Sequence, residues 1–270
     1  MQLPEFGPEL AEYIRGLWDE VSRRTPASEL ERVKGFLEIM RGEGEHLLQL
    51  APMQVPALPI LFFPGLKSGP FLETRQVSWI PALEEAWPAI REEYEALRAE
   101  EIIDYQAAYD LGGGAEGETR TDGWKSFYFH KGFHPLLKNR ARCPRTSQAL
   151  ERVPIAKEAL FSILGPGGHI PEHSDEFNFL ITCHLGVRVP EGCRIRVGPE
   201  VRSWREGQCL LLDTSYLHEV WNPSDQRRCV LLIDAWHPDL KPAEIDAIQF
   251  LRPKLEAALG VQAIEGSPEA

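Results

Sequence analysis

Leu160-Phe161-Ser162-Ile163-Leu164-Gly165-Pro166-Gly167-Gly168-His169-Ile170-Pro171-Glu172-His173-Ser174-Asp175 carries the fold in miniature. Five residues, apolar but for one hydroxyl, read as a buried strand. Gly-Pro-Gly-Gly is a turn. Beyond the turn, His173 and Asp175 lie two residues apart at a loop-to-strand edge, where alternate side chains point the same way. Working outward, the same texture recurs at Trp124–Phe129, Phe179–Val187, Cys193–Val197, Cys209–Leu212, Glu219–Asn222 and Arg228–Trp236. Many short apolar stretches punctuated by Gly and Pro predict a β-sandwich or jelly roll.

Upstream of about residue 123 the pattern is helical. Leu10, Tyr13, Ile14, Leu17 and Trp18 recur at the spacing of one helix face. Ser28 followed by Glu31 has the form of a capping box and predicts a second helix through Leu37 to Met40. Leu83 to Arg98 carries a stripe of Leu83, Trp87, Ile90, Tyr94 and Leu97, with Pro88 kinking the helix or marking where its regular part begins. Residues 51–70 hold too much Pro and Gly for one helix and read as an extended segment, with a strand near Ile60-Leu61-Phe62-Phe63. Pro242 to Leu259 returns to helix. The expected architecture is mainly β with flanking helices around a double-stranded β-helix (jelly roll, cupin-like) core. Residues 1–58 would form an N-terminal helical buttress, 59–259 the β-helix domain with its supporting helices, and 260–270 a polar tail.

With 270 residues the chain can bury a core that needs no staples. Its 29 basic and 41 acidic residues leave a net charge of −12, which repels phosphate backbones and argues against a nucleic-acid partner. The opening Met1-Gln2-Leu3-Pro4-Glu5-Phe6 lacks the features of a signal peptide. Apolar runs such as Cys229-Val230-Leu231-Leu232-Ile233 fall far short of the ~18 residues a membrane helix needs, so no membrane insertion is expected. Five widely spaced cysteines without a C-x-x-C pair suit reduced thiols and a cytoplasmic location.

Two imidazoles and one carboxylate make the donor set that holds non-haem Fe(II) while leaving coordination positions open. His173 and Asp175 alone are a weak signal, since an ordinary hydrogen-bonding histidine explains them as well. His218 strengthens it, standing 43 residues beyond Asp175 (218 − 175 = 43) at the mouth of another strand. A jelly roll can bring such strand ends together across its mouth. The polar turn Asp213-Thr214-Ser215-Tyr216 before it suits an exposed rim. Arg228 opens an apolar strand ten residues after His218 (228 − 218 = 10). A guanidinium there is costly without an anionic partner, and its planar fork fits a carboxylate, such as that of the dicarboxylate 2-oxoglutarate. Ser162 and His184 are further polar intrusions in apolar strands. Each alone could be a satisfied core residue; together with Arg228 they form a pattern.

Several ordered segments resemble one family. These are Ser162–His173, His184-Leu185-Gly186-Val187, Gly192-Cys193-Arg194-Ile195-Arg196, Trp204-Arg205-Glu206-Gly207, His218-Glu219-Val220-Trp221 and Asp234-Ala235-Trp236-His237-Pro238. Their sequence and spacing resemble the aspartyl/asparaginyl β-hydroxylase family over about residues 120–240, and Pro64-Gly65-Leu66-Lys67-Ser68 with Pro70-Phe71 extends the likeness upstream. The resemblance implies Fe(II), 2-oxoglutarate as cosubstrate and O2. By motif position it implies His173 and His218 as iron ligands. It likewise implies Trp124, Ser162, His184 and Arg228 as the lining of the 2-oxoglutarate site, Arg228 on the distal carboxylate. The implied chemistry oxidises 2-oxoglutarate to succinate and CO2 and places one oxygen atom of O2 into a substrate C–H bond.

Two departures from the family pattern stand out. Animal aspartyl hydroxylases carry Gly at the carboxylate position, where this chain has Asp175, so a full facial triad is expected. Animal members also carry basic residues where this chain has Leu180 and Thr182, which argues against an aspartyl substrate. A local basic stretch of Lys125, Lys131, Lys138, Arg140, Arg142 and Arg145 could supply anion contacts instead, or form a solvated loop.

The expected function is a 2-oxoglutarate-dependent non-haem iron dioxygenase hydroxylating an amino-acid side chain, in a peptide, a protein or a free amino acid. The alternatives are a lipid-acyl hydroxylase of the same family, or a non-catalytic jelly-roll module binding a carboxylate or metal. A cupin-type isomerase would carry an H-x-H pair, which is absent. Oligomeric state is not legible in the sequence.

Overall fold

Twelve strands and seven helices form among the described residues, 7–56, 61–104 and 123–259 of the computed structural model. The strands are β1 (Phe71–Leu72), β2 (Ile103–Asp104), β3 (Trp124–Lys131), β4 (His134–Pro135), β5 (Ile155–Leu164), β6 (His169–His173), β7 (Leu180–Arg188), β8 (Arg194–Val197), β9 (Glu200–Arg202), β10 (Cys209–Leu212), β11 (His218–Trp221) and β12 (Arg228–Trp236). The larger sheet runs β1-β10-β7-β12-β5-β3-β2, with β4 beside β3, and the smaller runs β6-β11-β8-β9. All pairings within both sheets are antiparallel. The central strands β5, β7 and β12 read as almost continuous apolar runs because both their faces are covered. The expected assignments of Cys209–Leu212 and Arg228–Trp236 match the observed bounds, and Leu160–Leu164 lies inside the longer β5.

The helices are α1 (Pro8–Ser22), α2 (Glu31–Met40), α3 (Ile80–Glu85), α4 (Trp87–Glu95), α5 (Leu137–Arg142), α6 (Pro144–Leu150) and α7 (Pro242–Leu259). Ile80, Leu83, Ile90 and Tyr94 cover the outer face of the large sheet against Phe161, Ile181, Leu185 and Leu231. Ile14, Leu17, Phe36 and Leu37 form a second apolar cluster with Ile248 and Leu251 of α7, against Phe179, Leu180 and Trp236. Burying these faces is the main stabilising term. α1, α2 and α7 therefore close one side of the β structure together. Arg32 of α2 ties to Glu244 of α7, Nε to Oε1 at 2.8 Å. No helix among the described residues is long and apolar enough to cross a membrane. All five cysteines are buried and unpaired.

Three expectations change. Ser28 does not cap a helix: it lies in a 3-10 turn, Ala27–Glu29, and α2 begins at Glu31 behind Leu30 without a side-chain cap. The helix expected over Leu83–Arg98 is two helices, with Pro88 in the first turn of α4, where its missing N–H removes no helical bond. The strand expected near Ile60–Phe63 is not one over Leu61–Phe63, and Ile60 lies outside the described residues. The boundary expected at residue 58 and the tail from 260 also lie outside them.

Phe63 is held by a side chain instead of a strand. Its N–H donates to Asn178 Oδ1 at 2.7 Å, and its carbonyl accepts from Asn178 Nδ2 at 2.8 Å. Asn178→Ala leaves both buried groups unpaired, at a cost of about 2–4 kcal/mol. A fall in Tm of roughly 4–12 °C is expected for a chain this size. Thermal unfolding followed by circular dichroism measures it; an unchanged Tm would show the pair to be dispensable.

Candidate metal centre

His173 closes β6 and His218 opens β11, and the two stand directly opposite each other in the antiparallel register. Their ring centroids are 4.1 Å apart. The register slips between His218 and Val220, so that Val220 faces Ile170. This bulge reverses the alternation on β6. Ile170 and His173 are three residues apart, yet both line the same cavity. A regular strand would have turned one of them away.

Each histidine is oriented by the backbone two residues before it. His173 Nδ1 lies 2.7 Å from the Pro171 carbonyl oxygen, and His218 Nδ1 lies 3.0 Å from that of Tyr216. In the neutral ring, donation from Nδ1–H leaves Nε2 unprotonated and free to bind a metal, the arrangement that metal-bound histidines use. Burial first, and then the neighbouring His173, push the His218 imidazole down to about 4, so it stays neutral.

Asp175 lies just past β6, where its N–H donates to the Thr214 carbonyl at 2.8 Å. The turn that leads into His218 thus also holds the carboxylate. Burial opposes ionisation of Asp175, but His218, His173 and Lys157 together with Thr214 hold its carboxyl below the ordinary range. One ligand atom from each of His173, Asp175 and His218 lies within 4.8 Å of the others. The non-catalytic reading would have been favoured had any of them pointed away from a common centre. His218 is buried, not on the exposed rim its preceding turn suggested, because Gln54 and Ser215 pack that turn inward with a 3.0 Å hydrogen bond.

The triad faces a cavity of about 370 Å³ between the two sheets, which Trp124, Ser162, His184 and Arg228 also line. Arg228 is only 1% exposed. Its Nη1 donates to the Ser162 carbonyl at 3.4 Å and its guanidinium stacks 4.9 Å from the Trp204 ring, but Nε has no hydrogen-bond partner among the described residues. Burial lowers Arg228 to about 10, so it remains charged at neutral pH. Trp204 Nε1–H donates to His184 Nδ1 at 3.3 Å, which places the proton of the neutral ring on Nε2. That Nε2 is also buried without a partner. Burial, then the Arg228 charge, holds His184 far below its ordinary value. Trp124 Nε1–H donates to Ser162 Oγ at 3.1 Å.

Two residues lining a cavity with a convergent His-Asp-His set therefore each carry a buried donor that lacks an acceptor among the described residues. The chemistry of the donors fits a carboxylate, which offers acceptors only. The oxygen and imidazole donor set fits Fe(II).

The basic stretch does not line this cavity. Arg142 pairs with Glu101 and Arg145 with Glu92, at 2.7 Å each. Sequence reasoning passed over Trp204 as a partner of both Arg228 and His184, and over Glu158, Asp234 and Lys157 in the cavity wall. Asp234 carried the signal that marked Ser162, a polar residue inside an apolar strand; Glu158, beside Lys157 and ahead of the expected strand Leu160–Leu164, did not.

The profile of the Aspartyl/Asparaginyl beta-hydroxylase family matches residues 84–238. The chain belongs to this family. Like other members it is an oxygenase-type enzyme. It is 32% identical over 213 residues to the ornithine lipid ester-linked acyl 2-hydroxylase of Rhizobium tropici, covering 72% of this chain and 75% of that one. It is also 32% identical over 223 residues to aspartate beta-hydroxylase domain-containing protein 2 of Rattus norvegicus, covering 78% of this chain and 63% of that protein, just under two thirds of its length. Among solved structures, a Pseudomonas putida prolyl-4-hydroxylase aligns at 16% identity over 57% of this chain and 86% of its own, with a TM-score of 0.36, too low to carry an argument.

Proposed function

We propose that this family member is an Fe(II)- and 2-oxoglutarate-dependent dioxygenase that hydroxylates an amino-acid side chain, in a peptide or protein or free. The observation that carries the reading is the convergence of His173, Asp175 and His218 on a cavity that Arg228 and His184, each with one buried donor unpartnered among the described residues, also line. Fe(II) held by those three residues would supply O2 activation coupled to the oxidation of 2-oxoglutarate.

The chain's own residues do the rest. His173 and His218, donating Nδ1–H to carbonyls, present Nε2 as the free nitrogen of the neutral ring. Asp175 contributes a negative charge that partly offsets the metal. Arg228 and His184 hold the distal carboxylate of 2-oxoglutarate, and Trp204 fixes both of them. Ile170, Ile195, Val220 and Leu232 keep water from the cavity wall.

The test uses the metal-free chain titrated with Fe(II) under argon, then given 2-oxoglutarate and O2. One Fe(II) per chain and slow succinate formation without substrate are expected. Bound iron with no succinate would overturn the reading.

A second reading, hydroxylation of a lipid acyl chain, is favoured by the apolar side of the cavity and by the Rhizobium tropici relative at 32% identity. Mass spectrometry for the gain of one oxygen atom, with amino acids and peptides in one arm and acylated lipids in the other, separates the two.

A further inference from the structure

The cavity has a second pole that the roles above leave unused. Glu158 lies on β5 four residues before Ser162 (162 − 158 = 4), and Asp234 lies on β12 six residues beyond Arg228 (234 − 228 = 6). At ~3.3 Å per residue the Cα atoms of Glu158 and Asp234 lie roughly 13 and 20 Å along their strands from those of Ser162 and Arg228. Both line the cavity. Glu158 is 4% exposed, and its Oε1 is buried with no hydrogen-bond partner among the described residues. Asp234 accepts one bond, from Thr182 Oγ1 at 2.9 Å. Glu176 completes the pole and is taken by Lys157 Nζ at 2.9 Å.

With Asp175 left to the proposed metal, three carboxyls face one ammonium there, a formal excess of two negative charges (1 − 3 = −2) if all are ionised. Such an excess is costly in a buried place unless a cation balances it. The titration behaviour agrees with that cost. Burial first, and then Asp234, raise the Glu158 carboxyl well above its ordinary value, and burial raises Asp234 to about 7. The pole resists ionising both carboxyls while no cation is present.

We propose that Glu158 and Asp234 bind a primary ammonium group of the substrate, which enters with this cationic end on the acidic pole and its target C–H bond toward His173, Asp175 and His218. The placement of the target bond rests on the dioxygenase reading; the binding of the cation does not. A second metal ion fits the pole less well. Among the described residues the His, Cys, Asp and Glu ligand atoms converge only at His173, Asp175 and His218, and Lys157 already places a positive charge beside the pole. A neutral partner would satisfy Glu158 Oε1 but leave the charge unmatched. A substrate with a carboxylate at this end would meet like charges. The ammonium has two sources, an amino acid or an amine carried on an alkyl chain.

Calorimetric titration of the full chain without metal tests the assignment, with n-hexylammonium, hexan-1-ol, hexanoate and L-lysine as probes. At least about tenfold tighter binding of n-hexylammonium than of hexan-1-ol is expected, with hexanoate weakest, as charge-assisted bonds to a buried carboxylate require. Glu158→Gln and Asp234→Asn, both isosteric, are each expected to weaken n-hexylammonium about tenfold. If one variant fails to fold, the other and the wild-type ranking still decide. Tighter binding of L-lysine than of n-hexylammonium assigns the ammonium to an amino-acid substrate, and the reverse order to an alkyl-borne amine. Equal binding of ammonium and alcohol overturns the proposal. So does a loss confined to Asp175→Ala, which would put the cation at the metal position. Because the readout is heat rather than succinate, a chain that binds ammonium without making succinate sinks the dioxygenase reading and leaves this one standing.

Discussion

His218→Ala is expected to abolish stoichiometric Fe(II) binding and to cut 2-oxoglutarate turnover by about two orders of magnitude or more. Losing a partner that merely orients a metal ligand typically costs 10- to 100-fold, and here a ligand itself is removed. The effect should be large because His218 does two things at once. In the proposed site its Nε2 would supply one of three ligands, and its position opposite His173 sets the spacing of the pair. Alanine keeps the strand and loses the one Nδ1–H bond to Tyr216. A modest drop in Tm beside a complete loss of iron binding is therefore the signature. Anaerobic Fe(II) titration, succinate formation and thermal unfolding on one preparation measure all three. Retained turnover would remove His218 from the ligand set.

Arg228→Met is expected to move function and stability in opposite directions. The 2-oxoglutarate concentration for half-maximal turnover should rise by about one to two orders of magnitude, the loss of a buried charge-assisted pair. The Tm of the chain without ligand should stay level or rise, because a buried guanidinium lacking a carboxylate partner is replaced by an apolar chain of similar length. Arg228→Lys keeps the charge but loses the planar fork, and intermediate values are expected. A lowered Tm with an unchanged 2-oxoglutarate requirement would make Arg228 a structural residue.

Much of this was legible along the chain. The bounds of β12 and α7 follow from an apolar run flanked by breakers and from a helical pattern opened by Pro242. Arg228, Ser162 and His184 were visible because each is polar where its neighbours are not, and His173, Asp175 and His218 by their residue types and spacing. The errors share a cause. Ser28 matched a local capping pattern, yet the helix began three residues later, where Val33, Phe36 and Leu37 face the core. Leu61–Phe63 had the composition of a strand, but Asn178, more than a hundred residues away, supplies the hydrogen bonds a neighbouring strand would have made.

The sequence by itself determined a β core with flanking helices, the family, and the residue types available for metal and carboxylate binding. These follow from hydrophobic patterning and local motifs, which are properties of neighbours along the chain. Only the tertiary structure decided that His173 and His218 face each other across a bulge, that Trp204 orders both Arg228 and His184, and that Glu158 and Asp234 share one cavity wall. Those facts depend on strand register, and a shift of one residue in pairing turns a side chain to the opposite face while leaving the sequence pattern unaltered.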